Sequence, residues 1–140
     1  MTQDPILSID ALHSFLHREF PQVAKEYEVV DVGPMRAQLR LVPDERHVRP
    51  GGTISGPTMF SLADCAVYLA IIAHVGEEAL AVTTSASMDF LRKPAADTPL
   101  LADVSLLKLG RGLAVGDVVL RSEGSDALVA RATLTYSRPK

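Results

Sequence analysis

The segment GTISGPTMFSLADCAVYLAIIAH, residues 52–74, decides how the rest of the chain is read. It is apolar enough to fill the middle of a small domain, yet it holds one carboxylate, Asp64. Burying an ionised carboxylate without a partner is costly, so either a neighbour stabilises it or the chemistry uses it. Ser55 stands where an N-cap belongs, and Pro57 falls in the first turn, where a missing N–H is harmless. With Gly76 beyond the end, the pattern predicts a helix from about Gly56 to His74. Its residues are apolar nearly all round, which predicts burial against more than one surface. Gly56, Pro57, Ser61 and Asp64 interrupt the run and leave too short an uncharged stretch for a membrane span.

Upstream, Leu12, Phe15 and Leu16 fall at helical spacing between Ser8, an N-cap residue, and Pro21, a stop, which predicts a surface helix from Ser8 to about Phe20. From Tyr27 the period changes. Met35, Ala37, Leu39 and Leu41 alternate with Arg36, Gln38 and Arg40, a half-buried strand after a turn at Gly33-Pro34 and closed by Pro43. Asp44 to Thr53, with Pro50, Gly51 and Gly52, is an irregular loop. Downstream, four strands follow the helix: residues 80–91, then inward faces at Leu100 to Leu106, at Ala114 to Leu120 and at Leu128 to Tyr136. The breaks are at 93–99, at Gly110-Arg111-Gly112 and at the hairpin turn 123–126. Short turns give an antiparallel sheet whose apolar face the central helix covers, an α+β architecture.

The whole chain of 140 residues, 47% apolar, suits one domain spanning 1–140. Fourteen basic against seventeen acidic residues give a net charge of −3 without blocks of either sign. Neither nucleic acid nor an anionic membrane surface is indicated as a partner, and a small ligand is expected. The single cysteine, Cys65, precludes an intrachain disulfide and fits a reducing compartment. MTQDPILSID has no basic start leading into a long apolar core, so neither a secretory signal nor an anchor is visible and a cytoplasmic location is expected. His13 and His17 share a helix face, but no third ligand is suggested, so no metal is expected. Cys65 lies about 100° round the helix from Asp64 with no His to activate it, and reads as a small buried residue.

The strings G-T-I-S-G-P-x-x-x-S-L-A-D and M-D-F-L-R-K-P-A, in the order strand, buried helix, four strands, resemble the phenylacetyl-CoA thioesterase (PaaI-like) family of hotdog-fold acyl-CoA thioesterases. The similarity runs from about Arg40 to Tyr136, with the N-terminal helix outside it. The resemblance implies an antiparallel sheet wrapped around a central buried helix. It also implies hydrolysis of an acyl-CoA, aryl or of short to medium chain, without any cofactor beyond the coenzyme A of the substrate. A homodimer, paired again into a tetramer, is implied because the family builds its sites between subunits. The family string is N-x-x-G-x-x-H-G-G, followed by an acidic residue nine positions after the His. Here Gly52 and Gly56 match glycines and Asp64 the acid, whereas Arg49 stands for Asn, Ser55 for His and Pro57 for the second Gly.

These residues suit the chemistry. A thioester carbonyl gains negative charge as it becomes tetrahedral, and the Gly56 N–H at a helix N-terminus is placed to stabilise it. Pro57 has no N–H to offer. Asp64, two turns further on, is a base for water or a nucleophile for the acyl carbon. Helical spacing sets it beside Phe60, Tyr68 and Ile71, a candidate pocket lining. Ser55 is a cap with at most a secondary polar contact to substrate. The resemblance further suggests a hydroxyl, from Thr83 or else Thr84, that orients water. It also suggests Arg92, Lys93, Lys108 and Arg111 as cations for coenzyme A phosphates, while Arg49, in the place of the family Asn, is a candidate substrate contact. Two alternatives remain open: an acyl-CoA-binding protein without catalysis, and a hydratase or dehydratase using His47 or His74.

Overall fold

The computed structural model describes residues 3–78 and 80–139, so Met1 and Thr2 of the N-terminal stretch lie outside it. Helix α1, Ile9–Glu19, starts at Ser8, whose hydroxyl accepts from the Ala11 N–H at 3.1 Å, and buries Leu12, Phe15 and Leu16. Pro21 ends α1 but also opens a four-residue helix α2, Pro21–Ala24, at whose first position its fixed φ is already helical. Two strands precede the central helix rather than one: β1, Tyr27–Gly33, and β2, Arg36–Leu41, pair antiparallel across a turn in which Met35 takes φ 56°. The alternation of β1 is blurred because three successive residues, Val30 to Val32, are half-buried.

The central helix α3, Gly56–Val75, begins and ends close to where the caps predict. The Ser55 hydroxyl accepts from the Thr58 N–H, and Gly76, at φ 100°, closes it in a conformation that favours glycine. Strands β3 (Val82–Phe90), β4 (Leu100–Leu109), β5 (Leu113–Ser122) and β6 (Leu128–Ser137) follow. All six strands form one antiparallel sheet in the order β1-β2-β4-β5-β6-β3. The sheet curls around α3 and α1 packs on the remaining side, so every residue from Ala66 to His74 is buried. This is the hotdog arrangement that the resemblance implies. By length and composition alone α3 is long and apolar enough to cross a membrane; here it is the core helix.

Two contacts fix the sheet against α3. At Gly116 in β5 an added Cβ would lie 2.9 Å from Val67 Cγ1, so the absence of a side chain lets strand and helix approach. At the far end, buried His74 accepts the Met35 N–H on Nε2 at 2.8 Å and donates from Nδ1 to the Ala70 carbonyl at 2.7 Å. That tautomer uses both ring nitrogens to pin the β1–β2 turn to the helix.

Candidate active site

Asp64 lies on the third turn of α3, half-buried, at a cavity of about 490 Å³. Thr83 Oγ1 donates to its Oδ1 at 2.7 Å, and the Tyr136 hydroxyl donates to the same oxygen at 2.6 Å. Among the described residues none donates to Oδ2. One carboxylate oxygen is thus stabilised by two hydroxyls. Leu16, Phe20 and Val23 from α1 and the start of α2 wall the cavity, opposite Tyr68, Leu80 and Ala81. Phe20 meets Tyr68 edge-on at 5.5 Å. Tyr27 and Ser61, 2.9 Å apart, add a polar pair to the same wall.

Burial sets the ionisation of the groups around Asp64. It pushes the Tyr27 and Tyr68 hydroxyls up to about 12. Tyr136 is driven well above the ordinary tyrosine range, by burial first and then by its hydrogen bond to Asp64. Cys65 is half-buried as a residue, but burial of its thiol, reinforced by the Asp64 charge, pushes it up to about 12. It carries no thiolate near neutrality and is unsuited to be the nucleophile.

A second cavity, of about 410 Å³, opens at the N-terminus of α3 and is lined by Gly56, Arg49, Thr53, Phe90, Arg92 and Lys93 among others. The first turn of α3 has three N–H groups before the helical ladder takes over, because Pro57 has none. Thr58 N–H goes to Ser55 Oγ and Met59 N–H to the Ser55 carbonyl, which leaves Gly56 N–H unspent among the described residues. Eight residues of helix separate Gly56 from Asp64, about 12 Å along the axis. In one chain the two groups serve different cavities.

The other sequence-predicted residues divide between cavity, core and surface. Tyr68 lines the Asp64 cavity, whereas Phe60 lies outside both cavities at 37% exposure and Ile71 is wholly buried in the core. The expected lining by Phe60 and Ile71 is therefore replaced by the α1–α2 wall, which covers the face of α3 that spacing alone left open. Ser55 is occupied as the cap. Thr84 points away and donates to the Thr135 carbonyl at 3.3 Å. Arg92 donates from Nε to the Leu128 carbonyl while lining the second cavity. Lys108 and Arg111 are exposed about the β4–β5 turn and line neither cavity.

No histidine joins Asp64. His47 accepts the Asp44 N–H on Nδ1 and donates from Nε2 to Glu26 at 2.6 Å, anchoring the loop before α3. His13 Nε2 accepts the Val29 N–H, and among the described residues no three His, Cys, Asp or Glu side chains gather as a metal site would require. Sequence reasoning missed Tyr136, which reads there only as an inward-facing aromatic on the last strand.

The profile of the Thioesterase superfamily matches residues 51–138. No curated protein sequence matches the chain. Among solved structures, a provisionally assigned thioesterase from Silicibacter sp. TM1040 is 51% identical, with a TM-score of 0.91 over 97% of this chain and 94% of that one. A point mutant of the phenylacetic acid degradation protein PaaI from Thermus thermophilus is 29% identical, with a TM-score of 0.72 over 85% of this chain and 99% of that one. A Streptococcus mutans protein bound to acetyl CoA, 23% identical, shares the fold at a TM-score of 0.71 over 81% and 88% of the two chains. With the curled sheet, the core helix and a profile match over more than half its length, the chain belongs to the Thioesterase superfamily and is a thioester hydrolase of the PaaI-like hotdog type.

Proposed function

We propose that the protein hydrolyses an acyl-CoA at a site completed by two copies of the chain, with Asp64 of one acting on a carbonyl held by Gly56 of the other. The observation that carries this reading is the asymmetric grip on Asp64, with Oδ1 held by Thr83 and Tyr136 and Oδ2 unclaimed beside an apolar cavity. The two-chain requirement follows from the separation of Gly56 and Asp64 and from the character of β3. That strand is a sheet edge, and its inward residues Ala86 and Phe90 stay exposed. Pairing β3 antiparallel with its own copy lays the Val82 end beside the copy's Phe90 end. Leu80 to Thr83 border the Asp64 cavity, and Phe90 to Lys93 border the Gly56 cavity. The pairing therefore joins one cavity of each kind at each end of the shared strand.

In such a site the acyl group enters the apolar cavity, and the thioester carbonyl accepts the unspent Gly56 N–H, where the dipole of α3 favours the developing charge. Asp64 Oδ2 removes a proton from water as the hydroxide adds to the carbonyl carbon, or itself adds to that carbon to give an anhydride that water then cleaves. In the first route collapse of the tetrahedral species breaks the C–S bond and Asp64 passes the water proton to the departing CoA thiolate; in the second the thiolate leaves as the anhydride forms and gains its proton from the water that cleaves the anhydride. Free acid and CoA leave. Single turnover in heavy-oxygen water separates the two routes, because only the second leaves label in Asp64. Arg49, Arg92 and Lys93 give the second cavity the positive charge that CoA phosphates require. Lys108 and Arg111 extend the cationic rim at the sheet end nearest the start of β3. The acetyl CoA of the Streptococcus mutans structure supports this substrate class. The chemistry asks for no resident cofactor, and CoA esters with a reduced Cys65 fit a cytoplasmic protein.

A panel of acyl-CoAs assayed by release of free thiol tests the reading. Turnover of at least one member is expected. Binding without thiol release across the panel would overturn hydrolysis in favour of a binding protein.

A further inference from the structure

We propose that Tyr136 is a positioning residue of the hydrolysis, fixing the Asp64 carboxylate so that one oxygen alone meets the substrate. This rests on the reading of Asp64 given above. The Tyr136 hydroxyl stands 2.6 Å from Asp64 Oδ1 and 3.0 Å from the Asp64 main-chain oxygen. Its single proton serves chiefly the charged oxygen, whose distance falls in the charge-assisted range, while the second acceptor keeps the hydroxyl against the helix turn that carries the carboxylate. Rotation of the Asp64 side chain would break this bond and the one from Thr83 together.

The sheet is built to make this grip. Tyr136 and Thr83 are direct cross-strand partners, but the next pair is Ser85 with Thr135, so Thr84 is the extra residue of a bulge. Ala86 and Met88 face inward opposite Leu134 and Ala132. Unbroken alternation from them would carry Thr83 outward, and the bulge brings it back beside Tyr136. Two hydroxyls from adjacent strands thus converge on one oxygen. Tyr136 remains a donor throughout the working range, because burial and the Asp64 charge both oppose its ionisation. Its ring, 3% exposed and tilted against Tyr68 at 5.9 Å, would pack equally well as phenylalanine. Packing alone therefore does not call for the hydroxyl.

Tyr136→Phe in the full chain separates the two roles. Thermal stability should stay near the parent, KM should change little, and kcat should fall about tenfold to hundredfold, the worth of a hydrogen bond to a charged group. A fluorinated tyrosine at 136 keeps the shape and the donated bond, so it should hold kcat near the parental value; it serves also if Tyr136→Phe does not fold. Parent-like kcat in Tyr136→Phe, in a parent that hydrolyses acyl-CoA, would overturn the role of Tyr136 and leave the thioesterase reading standing. An inactive parent would instead overturn that reading and this proposal with it.

Discussion

Replacing Asp64 with Asn exchanges one oxygen for an amide nitrogen at nearly constant shape. The remaining Oδ1 still accepts from Thr83 and Tyr136, so the side chain keeps its place while the basic, unclaimed oxygen is lost. Turnover is expected to fall by about two to four orders of magnitude, with binding of a non-hydrolysable CoA thioether little changed. Single-turnover kinetics and titration of the analogue check both halves; hydrolysis at the parental rate would make the carboxylate structural. Asp64 was legible in the sequence because its charge contrasts with every neighbour in the run. Tyr136 was not, because it lies 72 residues away and its partner is set by strand order rather than by spacing. The place of Phe60 outside both cavities was not legible for a related reason. Helical periodicity puts it near the face of Asp64, but which part of that face is roofed depends on where α1 and α2 pack.

At the scale of elements, caps and alternation located α3 and the four strands after it closely, since those signals are local. What spacing could not supply was the bulge at Thr84, which reverses the inward and outward order of the two threonines. Pro21 was legible as the end of α1; that it also starts α2 mattered more, because the corner between the helices turns Phe20 into the Asp64 cavity. The N-terminal helices lie outside the part of the chain that the superfamily profile matches, yet they wall the Asp64 cavity. Phe20→Ala removes a half-buried ring from that wall and should move the preference in kcat/KM towards longer acyl chains. Assays over a series of saturated acyl-CoAs read this directly. A uniform loss across the series would mean that the ring holds the fold and not the length limit.

The molecule as a whole stores titratable groups in its interior, and this gives stability a direction with pH. Burial raises the Cys65 thiol from 9.0 to about 12, and the Tyr27 and Tyr68 hydroxyls from 10.0 to about 12. Below the ordinary values both states are protonated and the contribution is complete. Between the ordinary and the raised values only the unfolded chain ionises, so stability falls as pH rises from about 9 towards about 12. Urea midpoints should be level below that window and decline within it; a level line throughout would refute the burial argument. Assembly is the larger question at this scale, because Gly56 and Asp64 serve different cavities of one chain and meet only if β3 pairs with its copy. Gly56→Val places a Cβ about 3.7 Å from the Phe90 ring, an ordinary contact, and its methyl groups reach into the second cavity, so the chain should fold with that cavity obstructed. Asp64→Asn disables the other half. Each variant alone should be nearly inactive. When the two are unfolded together and refolded, about half of the dimers are mixed, and each mixed dimer carries one site with both residues intact and one with neither. About a quarter of parental activity should therefore return on mixing. If activity stays at the sum of the separate variants while sedimentation shows dimers, each chain works alone and the two-chain site is wrong. A monomer in dilute sedimentation would remove the pairing of β3 itself.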